Sequence, residues 1–229
     1  NGYNCMDAQI AEIYGALLGD GCLSSYYDKS NKRQRYEINF SGSLDDFDYY
    51  KSKIQPYFKS IFLINGNLRK RNDSKAIIFS VRSKRVFDFF KELGFPVGKK
   101  LNLLKIPPII LADQVFCTAC LRGLWNTDGS IYRRYTKRYK SQVKFYNQYY
   151  VMELKMKARL LLEQVKVWLD SNGISTSSIT KNKNYVLRIN SQNAINSFLV
   201  NIGFSNVRHL KRIATFRAQI SSESLLNTI

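Results

Sequence analysis

The sequence is poor in residues on which several classes of protein depend. Its 229 residues include one histidine, four cysteines and four prolines, and only 17 acidic residues stand against 36 lysines and arginines. A single histidine disfavours any mechanism that needs a histidine pair, and four cysteines are too few for a disulfide scaffold, which favours a reduced, intracellular setting. No window approaches the 18 apolar residues of a membrane span, and neither a glycine-rich phosphate loop nor a Gly-x-Ser-x-Gly elbow is present.

The sequence has enough hydrophobic residues to form a core, and it has a large excess of positive charge. Hydrophobic residues make up 45% and aromatic residues 14% of the chain, which is enough for a core despite a net charge of +19. The commonest reason for such a charge is a polyanionic partner, nucleic acid above all. We therefore expect a nucleic-acid partner and no membrane, in the cytoplasm of a prokaryote or in an organelle matrix.

Two segments with the same pattern lie almost half the chain apart. Residues 13–21 (IYGALLGDG) correspond to residues 121–129 (LRGLWNTDG) at an offset of 108 residues. At the same offset, residues 79–83 (FSVRS) correspond to residues 187–191 (LRINS). The shared order and spacing of these matches indicate an internal duplication.

The duplication predicts two halves of the same fold class. We expect units at residues 1–104 and 114–229, joined by a linker at residues 105–113, where Pro107 and Pro108 break regular structure. Helical apolar spacing and strand-like alternation follow one another in each half as helix, strand pair, helix, strand pair, helix. The predicted class is therefore an α+β half used twice.

Small residues recur on one face of the two corresponding helices. Gly15 and Gly19 are four residues apart, as are Gly123 and Thr127, so each pair lies on a single helix face. Such faces allow two helix backbones to approach closely. If the helices pack there, their C-terminal ends meet.

A carboxylate stands at the end of each of these helices. Asp20 and Asp128 are followed by Gly21 and Gly129, which suit a left-handed helix cap. A helix C-terminus carries partial negative charge, so an aspartate there is unfavourable unless something positive offsets it. Two carboxylates with nearby backbone carbonyls form a cluster of hard oxygens that favours Mg²⁺ or Ca²⁺.

Both segments resemble the LAGLIDADG motif, and nearly the whole chain resembles a single-chain LAGLIDADG homing endonuclease. The resemblance implies two pseudo-symmetric αββαββα halves with the motif helices at their interface and saddle-shaped antiparallel sheets over the major groove of DNA. It implies a monomeric, metal-dependent enzyme of intron homing, a phosphodiester hydrolase. The expected reaction is cleavage of both strands of double-stranded DNA at a long asymmetric target, leaving short 3′ overhangs.

The resemblance also assigns the site residues. Asp20 and Asp128 would be the metal-binding catalytic acids, with the carbonyl groups of Gly19 and Thr127 as further ligands. The expected metal is Mg²⁺, with Mn²⁺ as a substitute and Ca²⁺ binding without supporting cleavage. Family members usually place a basic residue after the last helix of a half, and here Lys100, or next to it Lys99, takes that role.

The second half departs from this pattern. Arg208 and His209 stand opposite Lys99 and Lys100, so the two active sites would differ. Family members also tend to place a glutamine or lysine near the end of the second strand, a role for which Lys157 is the candidate in the second half. In the first half Ser41 and Gly42 occupy that region.

Basic residues follow each of the two acids in runs interleaved with tyrosines. One such run alone is usually a solvated surface, but four basic regions at repeated positions favour DNA contact through phosphates and base edges. The predicted DNA-binding residues are Lys29, Lys32, Arg33, Arg35, Arg69, Arg71, Lys75, Arg133, Arg134, Lys137, Arg138, Lys140, Lys144, Lys155, Lys181 and Lys183.

Two alternatives of the same fold stay open at this point. One is an intron maturase, which would bind RNA to assist splicing. The other is a DNA-binding protein that does not cleave, a possibility that the unequal Lys100 and His209 positions keep alive. Retention of both Asp20 and Asp128 favours cleavage.

Overall fold

The N-terminal half is built from helices and two strand pairs. In the computed structural model, which describes residues 6–72, 74–99, 101–137 and 144–226, its elements are α1 (Ala8–Asp20), β1 (Gly21–Asp28), β2 (Arg33–Ser43), β3 (Asn67–Lys70), β4 (Ala76–Arg82) and α4 (Lys84–Glu92). A continuous helical segment joins β2 to β3. It consists of a 3-10 turn (Leu44–Asp46), α2 (Phe47–Tyr49), a π-helical turn (Tyr50–Ile54) and α3 (Gln55–Phe62).

The C-terminal half repeats this order. A 3-10 turn (Leu101–Leu103) precedes the elements α5 (Pro108–Leu111), α6 (Gln114–Thr127), β5 (Gly129–Lys137), β6 (Lys144–Met156), α7 (Arg159–Ser171), β7 (Thr180–Lys181), β8 (Tyr185–Ile189), α8 (Gln192–Asn201) and α9 (Val207–Leu226). The α+β class with two similar halves is therefore confirmed. The boundaries of the two units and their linker stay a prediction.

Each half contributes one four-stranded antiparallel sheet. The strand orders are β1-β2-β4-β3 and β5-β6-β8-β7, so the sheets have the same topology. Phe40 lies opposite Phe79 in the first sheet and Leu154 opposite Leu187 in the second, and all four side chains are buried in the core. The alternate residues form the other face of each sheet, which we call the open face. Its members include Tyr26, Glu37, Asn39, Ser80 and Arg82 in the first sheet and Tyr132, Glu153, Lys155 and Arg188 in the second.

Helices α1 and α6 pack with their backbones in contact. A Cβ atom on Gly15 would lie 1.9 Å from the carbonyl oxygen of Cys120, and one on Gly123 would lie 2.1 Å from the carbonyl oxygen of Glu12. Both distances are far too short for a real side chain, so only glycine fits at either position. The close packing predicted from the small-residue faces is confirmed.

Helix α1 runs directly into β1, and the single residue Asp128 separates α6 from β5. Gly21, at φ −86° and ψ 160°, has an extended backbone, and Gly129 is not among the positive-φ glycines. The predicted left-handed caps are therefore wrong at both positions. Glycine is required for another reason: a Cβ atom on Gly21 would lie 2.5 Å from Cα of Leu17, and one on Gly129 would lie 2.4 Å from Cδ1 of Trp125.

Glycines with a positive φ angle occur instead after three other helices. The spacing of apolar residues predicts glycine stops for three helices, and positive φ angles are found at Gly94, Gly173 and Gly203. These follow α4, α7 and α8, so the three predicted helix ends are confirmed. A further predicted helix boundary is also confirmed, because Asp7 accepts a 2.7 Å hydrogen bond from the backbone nitrogen of Ile10 at the start of α1.

Two features differ from the sequence-based expectations. Asn65 and Gly66 have the composition of a hairpin turn, yet they lie in the loop that leads into β3. Gly66 is needed because a Cβ atom there would lie 2.1 Å from Cζ of Phe79. The long helix α9 was not predicted, and Ile213 within it is buried. Neither α9 nor any other helix of the described residues is long and apolar enough to cross a membrane.

The Cys-x-x-C spacing within α6 has a purely structural explanation. Cys117 and Cys120 are buried in the helix, as their apolar surroundings in the sequence predict. Burial raises the pKa of the Cys117 thiol to about 12 and that of Cys120 well above its ordinary value. A structural zinc site needs four ligands, and no group of three or more histidine, cysteine or carboxylate side chains that could hold a metal ion occurs among the described residues.

Candidate active site

The paired ends of α1 and α6 bring two carboxyl groups to one place. A Cβ atom on Gly19 would lie 2.1 Å from Oγ1 of Thr127 and 3.4 Å from Cγ of Asp128. The carboxyl group of Asp128 therefore lies directly beside the residue that precedes Asp20. Asp20 and Asp128 are both half-buried, so they are accessible from outside while being held in the interface.

The Asp20 carboxylate is held by a buried tyrosine. The hydroxyl group of Tyr50 donates a hydrogen bond of 2.9 Å to Oδ2 of Asp20. Tyr50 has no exposed surface, and it begins the π-helical turn between β2 and β3. Burial, and then the charge of Asp20, raise the pKa of Tyr50 well above its ordinary value, so this hydroxyl stays protonated as a donor.

The end of β2 leaves room for this carboxylate. A Cβ atom on Gly42 would lie 2.8 Å from Oδ2 of Asp20 and 3.6 Å from Oδ2 of Asp46. Any side chain at this position would press on the catalytic candidate. The absence of a glutamine or lysine at the end of the second strand therefore has a steric reason in this half.

The Asp128 side of the interface opens into a cavity. Its volume is about 280 Å³, and its lining includes Leu18, Gly19, Leu104, Asp128, Met156, Lys157, Ala158 and Asn184. Lys157, the predicted auxiliary residue of the second half, thus borders the same cavity as Asp128. Its role in catalysis stays a prediction.

The oxygen donors at the helix ends suit a hard cation. No group of three or more histidine, cysteine or carboxylate side chains able to hold a metal occurs within the described ranges. An ion here would take Asp20 and Asp128 together with the carbonyl groups of Gly19 and Thr127, and complete its shell with water or substrate phosphate. Mg²⁺ is bound in this manner, through one or two carboxylates while keeping several waters.

A buried polar network behind the site joins the two halves. Asn206 Nδ2 donates to Oδ1 of Asp46 at 2.6 Å and to the carbonyl oxygen of Asn126 at 2.9 Å. Arg208 Nε lies 3.2 Å from Oδ1 of Asp46, and its Nη2 donates to the carbonyl oxygen of Thr127 at 3.4 Å. The carbonyl oxygen of Thr127, a predicted metal ligand, therefore already accepts one hydrogen bond. Its second lone pair can still bind a metal ion.

Sequence inspection missed this network. Asp46 and Asn206 are 160 residues apart. The only local signal is a capping box, in which the backbone nitrogen of Ser43 donates to Asp46 at the start of the helical segment. A capping box predicts a helix start and carries no information about a distant partner.

The structure does not place His209 where its sequence match suggests. His209 stands opposite Lys100 in the sequence, yet it has no exposed surface and stacks on Phe204 with ring centroids 4.5 Å apart. Burial, assisted by the charges of Arg208 and Arg212, lowers the pKa of His209 to about 3. Lys99 is exposed, and Lys100, the candidate in the first half, lies outside the described residues.

Most of the predicted DNA-binding residues lie on the surface. The exposed members are Lys29, Lys32, Arg33, Arg69, Arg71, Lys75, Arg134, Lys144, Lys155, Lys181 and Lys183. Arg35 is paired with Asp28 at 2.9 Å. Arg133 is buried and donates from Nε to the carbonyl oxygen of Asn147 at 2.7 Å, which corrects its assignment as a surface contact. Only the backbone of Lys137 is described, and Arg138 and Lys140 lie outside the described residues.

Two basic residues of the open faces were not predicted. Arg82 lies on β4 and Arg188 on β8, each opposite a glutamate of the neighbouring strand. Each is the single basic residue of its strand. Alternation along each strand, which separates the core face from the open face, is the signal that could have found them.

The matched sequence family agrees with this geometry. Residues 116–203 match the family of LAGLIDADG-like domains. This stretch of the chain is therefore similar to a LAGLIDADG-like domain. The match runs from within α6 to the end of α8 and includes Asp128. No curated protein sequence matches the chain.

Solved structures extend the LAGLIDADG likeness to the first half. I-DmoI in complex with DNA and Mn is 19% identical, with a TM-score of 0.61 over 86% of this chain and 96% of that chain. I-SmaMI bound to uncleaved DNA target in the presence of calcium ions is 12% identical, with a TM-score of 0.64 over 97% of this chain and 93% of that chain. The LAGLIDADG fold and the resemblance drawn from the two motifs are confirmed.

Proposed function

We propose that this protein is a site-specific endonuclease that cleaves double-stranded DNA with the help of a divalent metal ion. The observation that carries the proposal is the meeting of Asp20 and Asp128 at the paired ends of α1 and α6. Two sheets flank this point, and exposed basic residues lie on both. The structural likeness to I-DmoI with DNA and Mn, and to I-SmaMI with DNA and calcium, supports the same partner.

The two acids would hold the metal, with the Gly19 and Thr127 carbonyl groups as further ligands. When bound, the ion supplies an activated water and stabilises charge on the phosphate oxygens during displacement. Tyr50 orients Asp20 through its 2.9 Å hydrogen bond. Lys157 adds positive charge beside Asp128, and we assign Lys100 the corresponding place in the first half. One acid for each strand gives a double-strand break with short 3′ overhangs.

The exposed lysines and arginines would supply the affinity for DNA. Contacts to phosphates release counterions, so binding should weaken steeply as salt rises. The two sheets carry different side chains at corresponding positions, which predicts a long asymmetric target. A monomer suffices for both strands because the chain contains both acids.

The experiment that tests the proposal is selection from a DNA library. The protein is incubated with random DNA in Mg²⁺, in Ca²⁺ and in EDTA, and the ends that form are sequenced. A single long site with short 3′ overhangs in Mg²⁺, with binding and no cleavage in Ca²⁺, is the expected result. Binding of a defined site with no ends in Mg²⁺ would support the non-cleaving alternative, and cleavage in EDTA would show that the reaction needs no metal.

A further inference from the structure

The open face of the first sheet holds a three-residue cluster built around a glutamate. The hydroxyl group of Tyr26 donates to Oε1 of Glu37 at 3.1 Å, and Nε of Arg82 donates to the same oxygen at 2.6 Å. The three residues come from β1, β2 and β4, so the cluster crosses the sheet. Glu37 and Arg82 are directly opposite in the strand register.

The open face of the second sheet holds the same arrangement. The hydroxyl group of Tyr132 donates to Oε2 of Glu153 at 3.2 Å, and Nε of Arg188 donates to the same oxygen at 2.8 Å. The residues come from β5, β6 and β8, the strands that correspond to those of the first cluster. In both sheets one carboxylate oxygen accepts both the tyrosine and the arginine.

The two clusters do not occupy equivalent positions. Tyr26 is five residues beyond Gly21, whereas Tyr132 is three residues beyond Gly129. In the same way Glu37 is three residues before Phe40, and Glu153 is one residue before Leu154. The whole second cluster is therefore shifted by two residues towards its motif helix. Copying of one half does not account for a cluster that recurs at a different register.

Stabilisation of the sheets is a weak reason for these glutamates. A cross-strand pair of opposite charge contributes little to folding, and a carboxylate on a surface that faces phosphates opposes DNA binding. The glutamate side chains are 11% and 16% exposed, whereas those of Arg82 and Arg188 are 66% and 34% exposed. The carboxylates are thus mostly covered, and the arginines are the members that reach outward.

The geometry of the arginines suits the recognition of guanine. Each contacts its glutamate through Nε, so the two terminal Nη nitrogens are not needed for that contact. A guanidinium held in a fixed orientation matches the O6 and N7 acceptors of guanine in the major groove, which is the commonest specific contact of arginine. The carboxylate of the glutamate holds the guanidinium group in place, so that it does not turn towards the nearest phosphate.

We propose that Arg82 and Arg188 are specificity-determining residues, each of which binds one guanine of the target, and that Glu37 and Glu153 are positioning residues. The inference rests on the proposed function, since it requires DNA against the open faces. A shift of two residues is about 7 Å along a strand. The two guanines therefore lie at unequal distances from the centre of the cleaved site, differing by about two base pairs.

The test is a binding profile over every single base-pair substitution of the selected target, in Ca²⁺. Arg82→Ala and Arg188→Ala should each weaken binding of the original site by about ten- to a hundred-fold and abolish discrimination at one G·C pair. Arg82→Lys retains the charge and should lose the same discrimination. Glu37→Gln should weaken discrimination at the G·C pair that Arg82 binds and at no other base pair. Thermal unfolding of every variant checks that the sheets remain folded.

The matched control is Arg159→Ala. Arg159 donates from Nε to Glu163 at 2.7 Å, as Arg82 does to Glu37, but it lies on α7 and not on an open face. Its loss should leave the profile unchanged in shape. Arg82 and Arg188 variants that weaken all sites uniformly would overturn the inference while leaving the proposed function intact. A wild-type protein that selects no site would overturn both.

Discussion

The hydroxyl group of Tyr50 and the carboxylate of Asp20 are joined by a 2.9 Å hydrogen bond at the inner edge of the proposed active site. The tyrosine is wholly buried, so its position is fixed by the core and not by solvent. Because the donor cannot move, the carboxylate has one preferred orientation before any metal or DNA arrives. Such preorganisation is the usual means by which a protein keeps a catalytic group in a productive geometry.

Replacing Tyr50 by Phe should therefore slow cleavage without weakening DNA binding. A hydrogen bond to a charged group contributes about 1.5 to 3 kcal/mol, so we expect the rate of the chemical step to fall by about ten-fold or more. The measurement is single-turnover cleavage of each strand. Tyr49→Phe is the control, because this neighbouring buried hydroxyl donates to Glu12 at 3.4 Å and not to Asp20. Equal slowing by both substitutions would contradict the assigned role.

Replacing either acid by its amide should abolish double-strand cleavage. Asp20→Asn and Asp128→Asn each remove a charge that the metal needs, while the shape of the side chain is preserved. Binding of the target should persist, since the loss of a negative charge near phosphate does not oppose DNA. Cleavage is measured on gels and binding by fluorescence anisotropy in Ca²⁺. A wild-type cleavage rate in either variant would refute the assignment of that acid.

Replacing Lys157 by Ala should lower the cleavage rate more than the affinity. Lys157 borders the cavity that contains Asp128, whereas Lys155 lies two residues earlier on the open face of β6. We expect Lys155→Ala to weaken binding and to reduce the slope of affinity against salt by about one phosphate contact. The two variants each lose one lysine charge, at positions two residues apart. If both change affinity alone, Lys157 has no role in the chemical step.

The interface between α1 and α6 should not tolerate a single added methyl group. In Gly15→Ala the new Cβ atom would lie 1.9 Å from the carbonyl oxygen of Cys120. The three atoms nearest to it all belong to the backbone, so no side chain can move aside. We expect the free energy of unfolding to fall by about 3 kcal/mol, as measured by urea titration. Asn196→Ala, at an exposed position of α8, should change it by less than about 0.5 kcal/mol. A fully stable Gly15→Ala protein would show that the helices can move apart.

His209 should make the protein less stable in acid. Its pKa is about 3 in the folded protein against 6.5 ordinarily, so the unfolded chain binds the proton first as the pH falls. The resulting loss of stability begins near pH 6.5 and continues down to about pH 3, at up to about 1.4 kcal/mol per pH unit. Unfolding is measured from pH 7 to pH 5 for the wild type and for His209→Gln.

The glutamine variant should lose less stability over this range, by about 2 kcal/mol at pH 5. Glu12 and Asp46 have raised pKa values, mainly because they are buried, and they act in the opposite direction. Both are present in the wild type and in the variant, so the difference between the two proteins isolates the histidine. Parallel pH profiles would show that His209 is solvated or protonated in the folded protein.

The features that the sequence predicts are those with a local cause. Gly15 and Gly123 mark the contact of α1 with α6 because only small residues on one helix face permit it. The order of elements follows from apolar spacing within short windows. In contrast, Gly21 has the composition of a helix cap, yet the immediate start of β1 decides its conformation.

The features that escaped prediction depend on distant partners. The burial of His209 depends on Phe204 and on the packing of α9, a helix that carries no strong amphipathic pattern in its sequence. Tyr50 gives no sign in the sequence that it faces Asp20, since the relation is created by a π-helical turn thirty positions away. Arg133 belongs to a basic run, and only the fold shows that its side chain turns inward.

The hydrogen bonds of Asp46 limit how halves of related proteins can be recombined. Asp46 belongs to the N-terminal half, while its partners Asn206 and Arg208 belong to the C-terminal half. A hybrid that received only one side would bury a carboxylate or a guanidinium without its counterion, which is strongly unfavourable. A functional hybrid therefore requires that these three residues travel together, although Asp46 and Asn206 are buried in the interior.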